Sequence, residues 1–222
     1  EDTAIGASSL NIFVSACAKQ SAENAVVYTG QRGGIYLGMH GNVGVPAPTL
    51  YDYHLGIPIP FYYYEGVDMV PTKDTVQDTL ARYLENELPE CTEGFDVFKQ
   101  QGYDVEEGEV NARAIIADEG VLFEIEYPVV LIKGDSRESL SSFNADVRID
   151  LLRLLRSADD YIDVQKRFPK SLVIGELSRI SEQSRLQFEI ISKQDLDIIS
   201  FVDWSVGFQE NPRVMRRIAN KK

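Results

Sequence analysis

Histidine and cysteine are the scarcest reactive side chains in this sequence, with two of each among 222 residues. Zinc sites draw three or four His, Cys or carboxylate ligands from short spacings. His40 and His54 stand 14 positions apart (54 − 40), with Asp52 the one carboxylate near them. Both therefore read as exposed loop histidines, and no metal or cofactor is expected. The chain also lacks Gly-x-Ser-x-Gly, Ser-x-x-Lys and His-Glu-x-x-His, and neither cysteine has a histidine beside it in sequence. No local motif announces an activated nucleophile. Glycine is dense between Gln31 and Gly44, yet neither Gly-Lys-Ser/Thr nor the order GxGxxG occurs there, which argues against a phosphate loop. No stretch approaches the roughly 18 apolar residues of a membrane helix, and no secretory signal is present. The chain starts at Glu1 without an initiator methionine, so a segment upstream is expected.

What is present is acid. The net charge is −13, a poor match for a phosphate backbone. The acid concentrates between Glu85 and Glu126, where the only cations are Lys99 and Arg113. The chain ends on Arg213, Arg216, Arg217, Lys221 and Lys222. These tracts read as a solvated face and a frayed tail. The sharper reading is charge complementarity between subunits or towards a charged surface.

Periodicity predicts an α+β domain: a long N-terminal helix packed on an antiparallel β-meander, with further helices before a C-terminal strand. Ser8 or Ser9 caps a first helix that runs to about Tyr28 and stops at Gly30, apolar at its start and more polar later. Pro46, Pro48, Pro58 and Pro60 mark an extended arm. Phe61-Tyr62-Tyr63-Tyr64 forms a β-prone strand ended by Glu65-Gly66. These four aromatics read as partly core and partly half exposed, and they are the candidate partner contact. Thr72 caps a second helix with the stripe Val76, Leu80, Tyr83, Leu84 and Leu88, and Pro89 ends it. Strands over about 103–116, 121–133 and 139–149 make the meander. Helices follow over 151–168 and 172–192, then a strand over about 197–206 that holds the single Trp204. The helical pair 151–192 is a candidate subdomain within an otherwise single domain, 1–222.

Two constellations could carry chemistry. Glu124 and Glu126 leave one face of one strand, with Glu106, Glu107 and Glu109 nearby. A glycosidase needs two carboxyls about 5 to 9 Å apart in a cleft, so a secreted carboxylate-dependent hydrolase is the alternative function; the plainer reading is a wet sheet face. The run Asp104–Glu109 lacks the ligand offsets of an EF-hand. Cys17 lies mid-helix and Cys91 near the end of the second helix. They are either two buried thiols or one bridge closing a loop of about 75 residues, which the chain-entropy relation values at about 4.5 kcal/mol.

Several segments resemble a broad group of uncharacterised archaeal cell-surface proteins. They are Phe13-Val14-Ser15-Ala16-Cys17, Gln31-Arg32-Gly33-Gly34-Ile35-Tyr36, Ile59-Pro60-Phe61-Tyr62-Tyr63-Tyr64-Glu65-Gly66 and Leu84-Glu85-Asn86-Glu87-Leu88-Pro89-Glu90-Cys91, then Gly102-Tyr103, Tyr127-Pro128 and 199–203. In that group one N-terminal membrane helix, with a pilin-like signal in many members, precedes a soluble extracytoplasmic domain. The resemblance covers most of the chain and brings no catalytic residues. It implies a disulfide between Cys17 and Cys91, an extracytoplasmic location, and an anchor upstream of Glu1. The expected function is thus non-catalytic: a membrane-tethered protein for surface interaction or assembly, with a protein or surface partner, no nucleic acid and no enzymatic activity.

Overall fold

The structure is a computed structural model that describes residues 2–38, 41–43, 51–54, 57–192, 196–203, 205 and 214–221. In chain order the elements are α1 (Asp2–Gln31), β1 (Tyr36–Gly38), β2 (Gly41–Val43), β3 (Tyr51–His54), β4 (Ile57–Tyr64), β5 (Val67–Asp68), α2 (Lys73–Thr92), α3 (Asp96–Lys99), β6 (Asp104–Glu107), β7 (Asn111–Ile116), β8 (Val121–Lys133), β9 (Ser136–Val147), α4 (Leu151–Arg167), α5 (Ile174–Ser184), β10 (Gln187–Ser192), β11 (Leu196–Asp203) and β12 (Val214–Lys221). The class is α+β, as the periodicity predicts.

α1 is the element around which the two larger sheets assemble. Leu10, Val14, Cys17 and Ser21 are buried on it, and so are Ala18, Ala22, Ala25, Val26 and Thr29. Its second half, 21–31, has no exposed position, as suits a helix inside a protein, whereas Ser8, Asn11, Ile12, Lys19 and Gln20 leave its first half exposed on one side. It touches α2, β9 and β12, and its alanines and serine let those neighbours approach closely. The expectation of a helix growing more polar along its length is corrected. Gln20 is exposed, and the C-terminal half is the more continuously buried.

The first sheet is the predicted meander. β8 is central, paired along its whole length with β9 and on its other edge with β7 and then β6. Its inward residues Val121, Phe123, Ile125, Tyr127, Val129 and Leu131 are all buried, which is why the alternation was readable. The strand expected over 103–116 is in fact two strands. Pro128 of β8 has no N–H to donate, and the β8–β9 register shifts between Glu126 and Val129. Opposite it the chain breaks at Gly108, whose N–H donates to the Pro128 carbonyl over 2.8 Å.

The second sheet runs β10-β11-β12-β4-β3, with β5 on β4. β12 is antiparallel to β11 and parallel to β4, so the tail expected to fray is a strand inside a sheet. α4 packs on β11, β12 and β4, and α5 on β10. Buried residues of both sheets, α1, α2, α4 and α5 form one cluster.

Two element ends differ from expectation. Pro89 sits inside α2, which continues to Thr92; the helix stops where Glu93 turns left-handed at φ 45°. Pro89 removes one N–H donor and crowds the carbonyl four residues back, yet α2 runs three residues past it. The helix expected over 172–192 ends at Ser184, because Arg185 adopts φ 56°. Gln187–Ser192 then pairs with β11. Trp204 lies outside the described residues.

Candidate functional site

The aromatic strand is the first candidate surface, and the structure buries most of it. Phe61, Tyr62 and Tyr63 are buried and Tyr64 half-buried. Tyr62 donates its hydroxyl proton to the Gly33 carbonyl over 3.0 Å. Phe61 packs with Ile59 and Ile198 in a second small core. Glu65 at φ 49° and Gly66 at φ 88° join β4 to β5, which is the two-residue turn with both φ positive that suits hairpin twist. The aromatic-Glu-Gly segment is therefore core strand plus turn. The contact role expected of Phe61, Tyr62, Tyr63 and Tyr64 is corrected to packing for the first three, since side chains inside a core are not presented to a partner.

Gln31-Arg32-Gly33-Gly34 also has a structural explanation. It ends α1, with Gly33 at φ 59° and Gly34 at φ 83°, and the N–H of Gly34 donates to Thr29 over 2.7 Å. Beside this turn Tyr28, Tyr36 and Tyr83 stack at centroid distances of 4.7 to 5.6 Å. The Arg32 guanidinium lies 3.5 Å from the Tyr28 ring centroid, an orientation favoured by the ring quadrupole. Burial raises the pKa of Tyr83 and Tyr36, and nearby Glu87 adds to the effect.

The carboxylates stand on the outer face of the first sheet. Register places Asn111, Glu126 and Ser142 in one row across β7, β8 and β9, and Arg113, Glu124 and Asn144 in the next. These residues line a shallow, open depression of about 480 Å³. Glu124 meets Arg113 at 3.4 Å, and Glu106 meets Arg137 at 2.6 Å. Glu124 and Glu126 are both exposed. Glu107 stands apart, because its carboxylate accepts the Tyr127 hydroxyl over 2.5 Å. Burial first, and that bond second, raise the Tyr127 pKa. Glu109 is exposed. Among the described residues no group of three or more His, Cys, Asp or Glu side chains is placed to hold a metal. His40, and the side chains of Asp52 and His54, lie outside the described residues.

Cys17 and Cys91 are bonded to each other, with Cα atoms 5.7 Å apart across a sequence separation of 74. The bridge ties α1 to the last turn of α2. Just beyond it Glu93, Gly94 and Phe95 are all left-handed, at φ 45°, 58° and 62°. A left-handed conformation costs an L-residue about 1 to 2 kcal/mol. Glu93 and Phe95 both bear that cost, whereas glycine adopts the region freely. What holds the turn is the Phe95 ring, fully buried at 6.1 Å from Phe13, 6.4 Å from Phe98 and 5.9 Å from Tyr127. A left-handed run on Glu and Phe gives no sequence signal.

A buried ion pair also escaped the sequence. Asp150 caps α4 by accepting the Arg153 N–H over 2.9 Å. The Arg153 guanidinium reaches 50 residues on to Asp203, whose side chain is only 2% exposed. The other Asp203 oxygen takes the N–H and hydroxyl of Ser205, at 2.9 and 2.6 Å. With its donors supplied, this carboxylate pins the start of α4 to the end of β11. Pairs this distant leave no spacing rule to read.

No family profile, no curated protein and no solved structure matches this chain.

Proposed function

We propose that this chain is a non-catalytic extracytoplasmic domain that acts in surface interaction or assembly, tethered to a membrane by a segment N-terminal to Glu1. The observation that carries this reading is the Cys17–Cys91 bond, which uses both cysteines of the chain. Structural disulfides persist in oxidising compartments and are rare where thiol reductants circulate. The surface offered to a partner is the outer face of the first sheet, where Asp104, Glu106, Glu124 and Glu126 are exposed among Asn111, Ser142 and Asn144. The chemistry that fits it is a basic surface rich in hydrogen-bond donors. The resemblance to archaeal cell-surface proteins supports the tether.

The test is intact-mass analysis of the protein taken from its native cell, alkylated without reductant. No alkylated thiol is expected, and two alkylated thiols overturn the compartment. The anchor is tested separately by the residues that precede Glu1 in the native gene. An apolar stretch of about 20 residues is expected, and a start without one sinks the tether while leaving the fold untouched.

A further inference from the structure

We infer that the Cys17–Cys91 bridge is a latch on a strained segment, so that reducing it opens residues 92–103 locally while the sheets stay folded. Three observations meet at this place. Glu93, Gly94 and Phe95 form a left-handed run in which two residues are not glycine. Cys91 lies two residues before that run and is half-buried, whereas Cys17 is buried. Phe13, one helical turn before Cys17 on α1, is the ring that receives Phe95 and Phe98, at 6.1 and 5.6 Å. The same two turns of α1 thus hold the segment twice, once by a covalent bond and once by an aromatic socket. Strained backbone of this kind persists only where the surroundings over-determine it.

Beyond those two ties, Thr92 is buried beside the Tyr127 hydroxyl, Phe98 packs on Tyr103 and Lys133 lies over the Tyr103 ring, but the rest of the segment is lightly held. α3 is four residues long, and Glu93, Asp96, Val97, Lys99, Gln100, Gln101 and Gly102 are exposed. Short, exposed elements are drawn from the low end of local stability. When a dithiol reductant attacks, its thiolate bonds to the more accessible Cys91 sulfur and Cys17 leaves as thiolate. The second thiol of the reductant then displaces Cys91. The reductant ends as a disulfide, and the protein takes up two electrons and two protons. The left-handed run is then free to relax to right-handed backbone, withdrawing Phe95 from between Phe13, Phe98 and Tyr127. The inference is independent of where the protein resides, since it concerns only what the bond restrains.

The experiment is amide hydrogen exchange, read by mass spectrometry on the full chain with and without a dithiol. On reduction, amides of 93–103 are expected to exchange at least ten-fold faster while those of β7, β8 and β9 change less than two-fold. Uniform acceleration across α1, α2 and the sheet, or no acceleration at 93–103, overturns the latch. A second arm separates strain from simple loss of a cross-link. Glu93→Gly removes the cost at one left-handed residue and is expected to slow exchange at 93–103 of the reduced protein by about ten-fold, the rate equivalent of 1.4 kcal/mol. Gly94→Ala adds cost at φ 58° and is expected to speed the same amides in the oxidised protein. If both variants leave the segment's exchange unchanged, strain is not what the bridge restrains and the inference fails.

Discussion

Gly120 closes the turn between β7 and β8, where the Ala117 N–H donates to its carbonyl over 2.8 Å. A Cβ at this position falls 2.7 Å from the Val147 carbonyl oxygen at the end of β9. That neighbour is backbone inside a paired strand and cannot swing aside. Gly120→Ala is therefore expected to destabilise the fold by about 1 to 3 kcal/mol, the cost of overpacking a site that cannot relax, read as a lowered urea midpoint at unchanged slope. Asp203 tests burial of a different kind. Asp203→Ala removes the carboxylate and leaves Arg153 partly buried without its partner. Breaking a buried pair from one side costs about 3 to 5 kcal/mol, and the 27% exposure of the Arg153 side chain places this site at the lower end. Arg153→Met with Asp203→Leu removes both charges and is expected to recover most of the loss in the same unfolding assay.

The pairing of α2 with β7 shows how an element guards an edge. A β7 edge left bare would offer unpaired N–H groups to any passing strand. Instead the Ile116 N–H donates to Gln77 Oε1 over 3.0 Å, and the Ala112 N–H to Glu85 Oε1 over 2.9 Å. The spacing explains why two side chains suffice. Eight helical residues rise about 12 Å, and four strand residues about 13.6 Å, so antiparallel α2 and β7 come into step at both bonds. Gln77→Ala and Glu85→Ala are each expected to cost about 1 kcal/mol and to speed exchange of the Ile116 and Ala112 amides respectively, leaving the other one protected. Had both amides responded to either change, the two caps would be one coupled unit. At this scale the sequence was legible where one face is wet and one dry. The period-2 alternation of β8 and the stripe Val76, Leu80, Tyr83, Leu84 and Leu88 both mapped onto buried residues. It misled where a run fits two periods. Phe188 and Ile191 fit a helical stripe, but Arg185 stops the helix, and Phe188 and Ile190 are the half-buried pair of β10. It was silent on β12, because the β4 residues that select a basic tail as a sheet member lie up to 158 residues away (219 − 61). The candidate contact residues failed for a related reason. Phe61 to Tyr63 are equally suited to a surface strand and a core strand, and only the packing of α4 and Ile198 against β4 decides.

At the scale of the whole molecule, buried tyrosines are spread across both halves of the fold. Tyr36 and Tyr83 lie in the seam between α1 and α2, Tyr127 under the first sheet, and Tyr161 on α4. Burial raises the pKa of all four, that of Tyr161 to about 12. Below pH 10 each is neutral whether folded or unfolded, and stability does not depend on them. Above pH 10 the unfolded chain releases these protons while the folded chain holds them. Stability then falls by about 1.4 kcal/mol per pH unit for each tyrosine, until its folded pKa is reached. Tyr161, whose folded pKa is about 12, stops contributing there, and the other three add to the loss against a total stability of about 5 to 15 kcal/mol. Because α1 touches α2, β9 and β12, the two halves share a core and are expected to fail together. The protein should therefore unfold in a single transition above pH 10, with tyrosinate absorbance from the buried rings rising in step with loss of far-ultraviolet dichroism. Ionisation of those rings at lower pH with the dichroism intact would show them open to solvent in the folded state, and two separated transitions would show that α1 does not bind the sheets into one unit.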